Sequence, residues 1–138
     1  MTEYYTDGSS LGNPGPGGWA AVTLDGAELS GHKEHTTNNE MEATAILRVL
    51  EATPLDESLV IYTDSEWAVK AISGEYQVKS SRLMPIVAGI NRRVSARMLE
   101  TRIEWIRGHA GLPGNELADR VAKAEAHRAR IARERTQV

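Results

Sequence analysis

Four acidic residues stand where the chain passes from one element to the next. They are Asp7 at the end of a short β-patterned run, Glu42 early in an amphipathic helical segment, Asp64 just past the run Leu59 to Thr63, and Asp119 early in the last helical stretch, after Gly108-His109-Ala110-Gly111. Their phase points them inward. On a 3.6-residue period Glu42 lines up with Ala45, Ile46 and Val49, a packing face, whereas Glu40 lines up with Thr44, Arg48 and Glu51, a solvent-seeking row. Strand side chains alternate, so Asp7 shares a face with Tyr5, and Asp64 shares one with Val60 and Tyr62. An unpaired charge on a packed face costs several kcal/mol, and like charges held together stay ionised only with a cation among them. Oxygen-only donors suit a hard divalent ion such as magnesium or manganese rather than zinc. Taken singly, each acid has a plainer use: Asp-Gly and Asp-Ser are turn and capping sequences, and Asp119 suits the first turns of a helix. The expectation of a metal site rests on the four together.

Composition bounds the partners. A chain of 138 residues with 41% hydrophobic content builds one domain with a sizeable core. The absence of cysteine excludes disulfides, and no apolar segment reads as a secretion signal or membrane span, so a cytoplasmic protein without membrane attachment is expected. The net charge of −3 hides an uneven distribution. Residues 1–69 carry two Lys/Arg against twelve Asp/Glu, and residues 70–138 carry fourteen against seven. An acidic, cation-seeking half beside a basic half fits a protein that grips a polyanion and acts on it.

The elements that must position these residues follow from pattern. Strands are expected at Glu3 to Thr6, Trp19 to Leu24 and Ala27 to about His35, the last two joined by an Asp25-Gly26 hairpin turn. The glycine- and proline-dense stretch from Gly8 to Gly18 reads as neither helix nor regular strand. A helix from Asn39 to about Ala52 precedes the strand Leu59 to Thr63, and Ser65 caps a short helix ending near Gly74. Arg82 to about Met98 reads as helix with Pro85 in its first turn, Thr101 to Ile106 as the last strand, and Asn115 onward as the terminal helix. The fold class is therefore α/β, a five-stranded mixed sheet in which an antiparallel meander of three strands is extended by parallel strands through helical crossovers. Residues 1–127 form the domain, and 128–138 read as a basic tail, a frayed helix end or a stub. Trp67 and Trp105 fall on regular elements and are expected in the core.

The ordered motifs resemble the type 1 ribonuclease H family. They are Thr6-Asp7-Gly8-Ser9 running into Gly12-Asn13-Pro14-Gly15-Pro16-Gly17-Gly18, Thr37-Asn38-Asn39 with Met41-Glu42, Thr63-Asp64-Ser65, and Gly108-His109-Ala110-Gly111 with Asn115-Glu116 and Asp119. The resemblance spans nearly the whole chain and implies a ribonuclease H-like fold. It also implies endonucleolytic hydrolysis of the RNA strand of RNA/DNA hybrids, giving 5′-phosphate and 3′-hydroxyl ends. It implies that Asp7, Glu42, Asp64 and Asp119 hold two magnesium ions, with manganese able to substitute, and that His109 assists proton transfer or product release. Asn13, Asn38 and Asn39, with Gly8 and Ser10, would read 2′-hydroxyls in the wide minor groove of a hybrid, and Glu66, where relatives often carry glutamine, would join them. Thr37 resembles an anchor for a DNA-strand phosphate. The partner implied is a hybrid duplex bound by a monomer.

The chain departs from the family's better-known bacterial members in one respect. They carry a basic, tryptophan-containing protrusion after the second helix, whereas Ser73 to Arg82 is short and offers only Lys79 and Arg82. Compensation is sought in Arg92, Arg93 and Arg97, or in the arginine-rich tail. The alternatives are another acid-site nuclease of the same broad superfamily, a non-catalytic hybrid-binding module, or the nuclease portion of a larger polypeptide. The asparagine pair and the glycine-histidine loop argue against the first, and the intact set of acids against the second.

Overall fold

The structure, a computed structural model, describes residues 1–137. Its elements are β1 (Thr2–Ser10), β2 (Gly15–Val22), β3 (Glu28–Thr36), α1 (Asn38–Ala52), β4 (Leu59–Thr63), α2 (Glu66–Ser73), α3 (Met84–Ala96), β5 (Thr101–Trp105) and α4 (Pro113–Thr136). The strands form one sheet in the order β3-β2-β1-β4-β5. β1, β2 and β3 pair antiparallel, β4 joins β1 in parallel, and β5 joins β4 in parallel. The expected mixed α/β sheet is present, with the Asp25-Gly26 turn closed by Thr23 N–H donating to Ala27 O at 3.0 Å and Gly26 at φ 103°.

Adjacent positions of β2 show how helices cover the two faces. A Cβ on Gly17 would meet Thr36 and Met41, the latter on α1, whereas one on Gly18 would meet Ala122, Glu125 and Ala126 of α4. Neighbouring strand residues point to opposite faces, so α1 and α4 lie on opposite sides of the sheet. The α1 side holds the main cluster, in which Ile46, Val49 and Leu50 pack with Leu59, Ile61 and Ile90. On the other side α4 presents a stripe of buried alanines, Ala118, Ala122, Ala126 and Ala129, small enough to let the helix lie against a glycine-bearing strand. Among the described residues no helix is long and apolar enough to cross a membrane.

Three expectations are corrected here. The glycine- and proline-dense stretch is largely strand: β1 continues to Ser10, β2 begins at Gly15, and only the tip between them is irregular. Glycine is used there for close approach, since helices press on Gly8, Gly17 and Gly18 from both faces. Residues 128–136, read as a frayed end or stub, are the last turns of α4, and Ala129 among them is fully buried. Arginine density in that stretch masks the alanine stripe that docks it. Trp105, expected in the core, is 51% exposed because β5 is the sheet edge, while Trp67 does pack against the main cluster.

Candidate metal and nucleic-acid site

The parallel pairing of β1 with β4 matches Thr6 to Thr63, so the chain delivers Asp7 and Asp64, the next residue of each, side by side at the sheet's carboxyl end. Glu42 arrives from α1. Gly8 makes that possible: any side chain there would strike the backbone of Met41 and Glu42, so its absence lets α1 settle directly onto β1. A carboxylate oxygen from each of Asp7, Glu42 and Asp64 lies within 4.8 Å of the others. Asp7 is 5% exposed and Glu42 8%.

The electrostatics of this cluster are those of a cation trap. Burial, then the charge of Asp64, pushes the Asp7 carboxyl up to about 7, with Asp119 adding a little to the rise. Burial first, and then Asp7 and Asp64, hold the Glu42 carboxyl well above the usual carboxylate range. Glu42 Oε2 is buried without a hydrogen-bond partner, although buried polar atoms are almost always paired. Three converging oxygen donors, one of them orphaned, fit a hard divalent cation by donor type and by charge. Asp64 is held in place from outside: Asn115 Nδ2 donates to its Oδ2 at 3.2 Å, and Trp105 Nε1 donates to its backbone carbonyl at 3.2 Å. Gly108 leaves room for the same carboxylate, since a Cβ there would come within 2.8 Å of Oδ2. Asn115 is buried and positions a candidate ligand. The sequence signal for it was its place at the start of the terminal helix, where capping is the ordinary explanation.

The remaining sequence candidates divide. Asp119, on α4, stands beside Asp7 but is only partly buried and pairs with Lys123 at 3.1 Å. His109 sits on the exposed loop between β5 and α4 at φ 56°. Ser10, Asn13 and Asn38 form one bracket across the hairpin tip and the start of α1: Ser10 N–H donates to Asn38 Oδ1 at 2.8 Å and Asn38 N–H to Asn13 Oδ1 at 2.9 Å. The helix cap is Thr37, whose hydroxyl accepts from Glu40 N–H at 3.1 Å, so neither Asn38 nor Asn39 caps the helix. Asn13, Thr37, Asn38 and Asn39 line a cleft of about 400 Å³, with Ser80 and Arg82 on its far wall. Glu66 opens α2, exposed and paired with Lys70 at 2.7 Å, apart from that cleft.

Glu40 overturns its expected phase. It is 4% exposed, accepts from Thr36 Oγ1, and pairs with Lys33 at 2.7 Å and Arg82 at 3.1 Å. Burial alone would raise its carboxyl, but Lys33, Thr36 and Arg82 together hold it below the usual carboxylate value. The partners come from β3 and from the segment before α3, so helical periodicity within α1 carries no sign of them. Lys33 and Arg82 keep solvent contact, so losing the Glu40 charge strands no buried cation; Glu40→Gln, which keeps the shape, is expected to cost roughly 2 kcal/mol in a urea melt while the folded fraction keeps the wild-type reaction rate.

Comparison with known proteins places this geometry. The RNase H family model matches residues 1–127. A ribonuclease H of Bradyrhizobium diazoefficiens is 37% identical over 139 aligned positions, covering 92% of this chain and 90% of that protein. One from Dechloromonas aromatica is 40% identical over 132 positions, covering 87% and 89%. Among solved structures, an N-terminal RNase H domain from Mycobacterium tuberculosis, determined as a fusion with maltose binding protein, superposes with a TM-score of 0.78 at 29% identity, covering 96% of this chain and 99% of that one.

Proposed function

Because the chain belongs to the RNase H family, we propose that it is an endoribonuclease that hydrolyses the RNA strand of RNA/DNA hybrids, leaving 5′-phosphate and 3′-hydroxyl ends, and that it works as a cytoplasmic monomer. The observation that carries the reading is the buried cluster of Asp7, Glu42 and Asp64, with one Glu42 oxygen unpartnered, on this fold. Those three residues and Asp119 would hold two magnesium ions, or manganese in their place. Ions bound there supply positive charge against the phosphodiester and make water acidic enough to attack near neutral pH.

The chain's own side chains do the rest. Asn115 and Trp105 keep Asp64 from swinging away, so the acids need no rearrangement before reaction. His109, on an exposed loop before α4, is assigned the taking or returning of a proton at the departing 3′ oxygen, a role suited to imidazole near neutral pH. The bracket of Ser10, Asn13 and Asn38 presents amides and a hydroxyl suited to 2′-hydroxyl recognition, which is how a protein tells RNA from DNA. Asn39 and the Gly8 backbone are assigned to the same recognition, Thr37 to a DNA-strand phosphate, and Glu66 to an outer contact.

The ends of the product test the bond that is cut. Attack by water on phosphorus with cleavage toward the 3′ oxygen leaves RNA fragments that a polymerase extends without prior phosphatase treatment. Extension of every fragment is the expected outcome in magnesium or manganese. Fragments blocked at the 3′ end by phosphate would contradict the assigned reaction.

A further inference from the structure

The arginines that were candidates to replace the missing basic protrusion have different fates in the fold. Arg97 is spent on structure, donating to the carbonyls of Thr53 at 3.2 Å and Pro54 at 3.1 Å as well as to Glu57 O and Thr101. Arg93 reaches Glu51 at 3.9 Å, Arg102 pairs with Glu104 at 3.2 Å, and Arg82 is held by Glu40. Arg92 has no ion pair among the described residues but lies on α3 beside Arg93, away from the hairpin tip. At the end of α4, Arg128 pairs with Glu125, and Arg130, Arg133 and Arg135 have no ion pair among the described residues. Arg130 and Arg133, three residues apart and so on one helical face, line a groove of about 300 Å³ together with Glu134 and Gln137, and its opposite wall is Leu11 and Pro16 at the tip of the β1–β2 hairpin; the two arginines outweigh the one carboxylate.

That tip is part of the proposed substrate surface. Leu11 N–H donates to Pro16 O at 2.7 Å, closing the tip, and Ser10 beside it is tied to Asn38. One rigid hairpin therefore has the Asn13–Asn38 bracket on one side and the two arginines on the other. From Asp119 to Arg130 the helix rises about 17 Å, at roughly 1.5 Å per residue. That is the axial length of about five base pairs.

We propose that this groove is a second nucleic-acid contact, in which Arg130 and Arg133 hold backbone phosphates of the hybrid about five base pairs from the cleaved bond. The contact supplies basic charge from the other side of the hairpin tip than the short segment Ser73 to Arg82, and its arginines lie beyond residue 127, where the family match ends. The inference rests on the hybrid being the substrate. Phosphate contacts set affinity and salt dependence without reading sequence, so their signature is distinct from loss of a reacting group.

The test compares the wild type with Arg130→Ala/Arg133→Ala and with Arg92→Ala/Arg93→Ala, which removes the same charge from α3. Alanine is the best helix former, so the exposed changes leave α4 folded. On a hybrid of about 18 base pairs the groove variant is expected to raise KM roughly tenfold, leave kcat within about twofold, and flatten the slope of log KM against log salt by about 1.5 to 2. On a hybrid of about six base pairs, too short to reach the groove, the difference is expected to vanish. Unchanged KM and salt slope in a protein that cleaves the hybrid, or an equal effect from the α3 pair, would overturn the groove. Should the wild type bind hybrid without cutting it, the activity proposed above fails, and fluorescence anisotropy with the same three proteins still decides the groove by the same slope.

Discussion

Asp7→Asn is expected to abolish hybrid cleavage, by at least about a thousandfold, while making the metal-free protein more stable at neutral pH. The two effects have one cause. Asp7 sits where burial and Asp64 push its carboxyl from an ordinary 3.8 to about 7. At about 1.4 kcal/mol per tenfold change in equilibrium, that displacement is on the order of 4 kcal/mol of strain against an ionised Asp7. Asparagine removes the charge and keeps the shape. A gain of roughly 2–4 kcal/mol above pH 7 without metal is expected, enough to move Tm by on the order of 10 °C in a domain of this size. The same charge is what attracts dications, and loss of a metal-holding carboxylate removes several kcal/mol of transition-state stabilisation, which is the rate equivalent of a thousandfold or more. Thermal melts in a chelator, beside single-turnover cleavage in magnesium, read both halves. A variant that is both inactive and less stable would show that Asp7 supports the fold rather than a cation.

Metal-free stability is expected to fall as pH rises from about 4 to 7, the reverse of ordinary acid denaturation. The sign follows from proton binding: the native Asp7 keeps its proton up to about pH 7, whereas the unfolded chain releases it near 3.8, so over that interval the native state binds more protons and loses ground with each step upward. Glu42, raised for the same reason, extends the decline in the same direction. Glu40 acts oppositely: its carboxyl is held low, so its contribution is complete above the usual glutamate value and fades only as pH drops through its lowered one. Magnesium competes with protons for Asp7 and Glu42 and is expected to reverse the fall, raising Tm most at pH 8 and little at pH 5. Thermal melts at fixed pH with and without magnesium measure this. A magnesium effect of the same size at both pH values would separate ion binding from these carboxyls.

Much of the site was legible because its acids sit at element junctions. Alternation along β1 and β4 and the period of α1 place Asp7, Asp64 and Glu42 in inward phase, and the parallel β1–β4 pairing that brings them together follows from a helix lying between a meander and the next strand. What resisted reading depends on partners far away in sequence. Glu40 looked solvent-facing because its neutralising cations, Lys33 and Arg82, belong to other elements, and a buried ion pair leaves no trace in one helix's periodicity. The glycines of β1 and β2 looked like loop because composition registers their freedom and not the helices pressed against them. Trp105 was misplaced because alternation along a strand does not tell an edge from a centre. The end of α4 read as a tail because four arginines outweigh two alanines, although Ala129 is what docks it.

The most direct test incubates labelled RNA/DNA hybrid, RNA duplex and DNA duplex of one sequence with the wild-type protein in magnesium, with Asp7→Asn as the control. Cutting of the RNA strand in the hybrid alone, absent in Asp7→Asn and in chelator, is the result predicted. Cutting of DNA duplex at a comparable rate, or hybrid cleavage that survives Asp7→Asn, would contradict the assignment of these carboxylates to hybrid-directed hydrolysis.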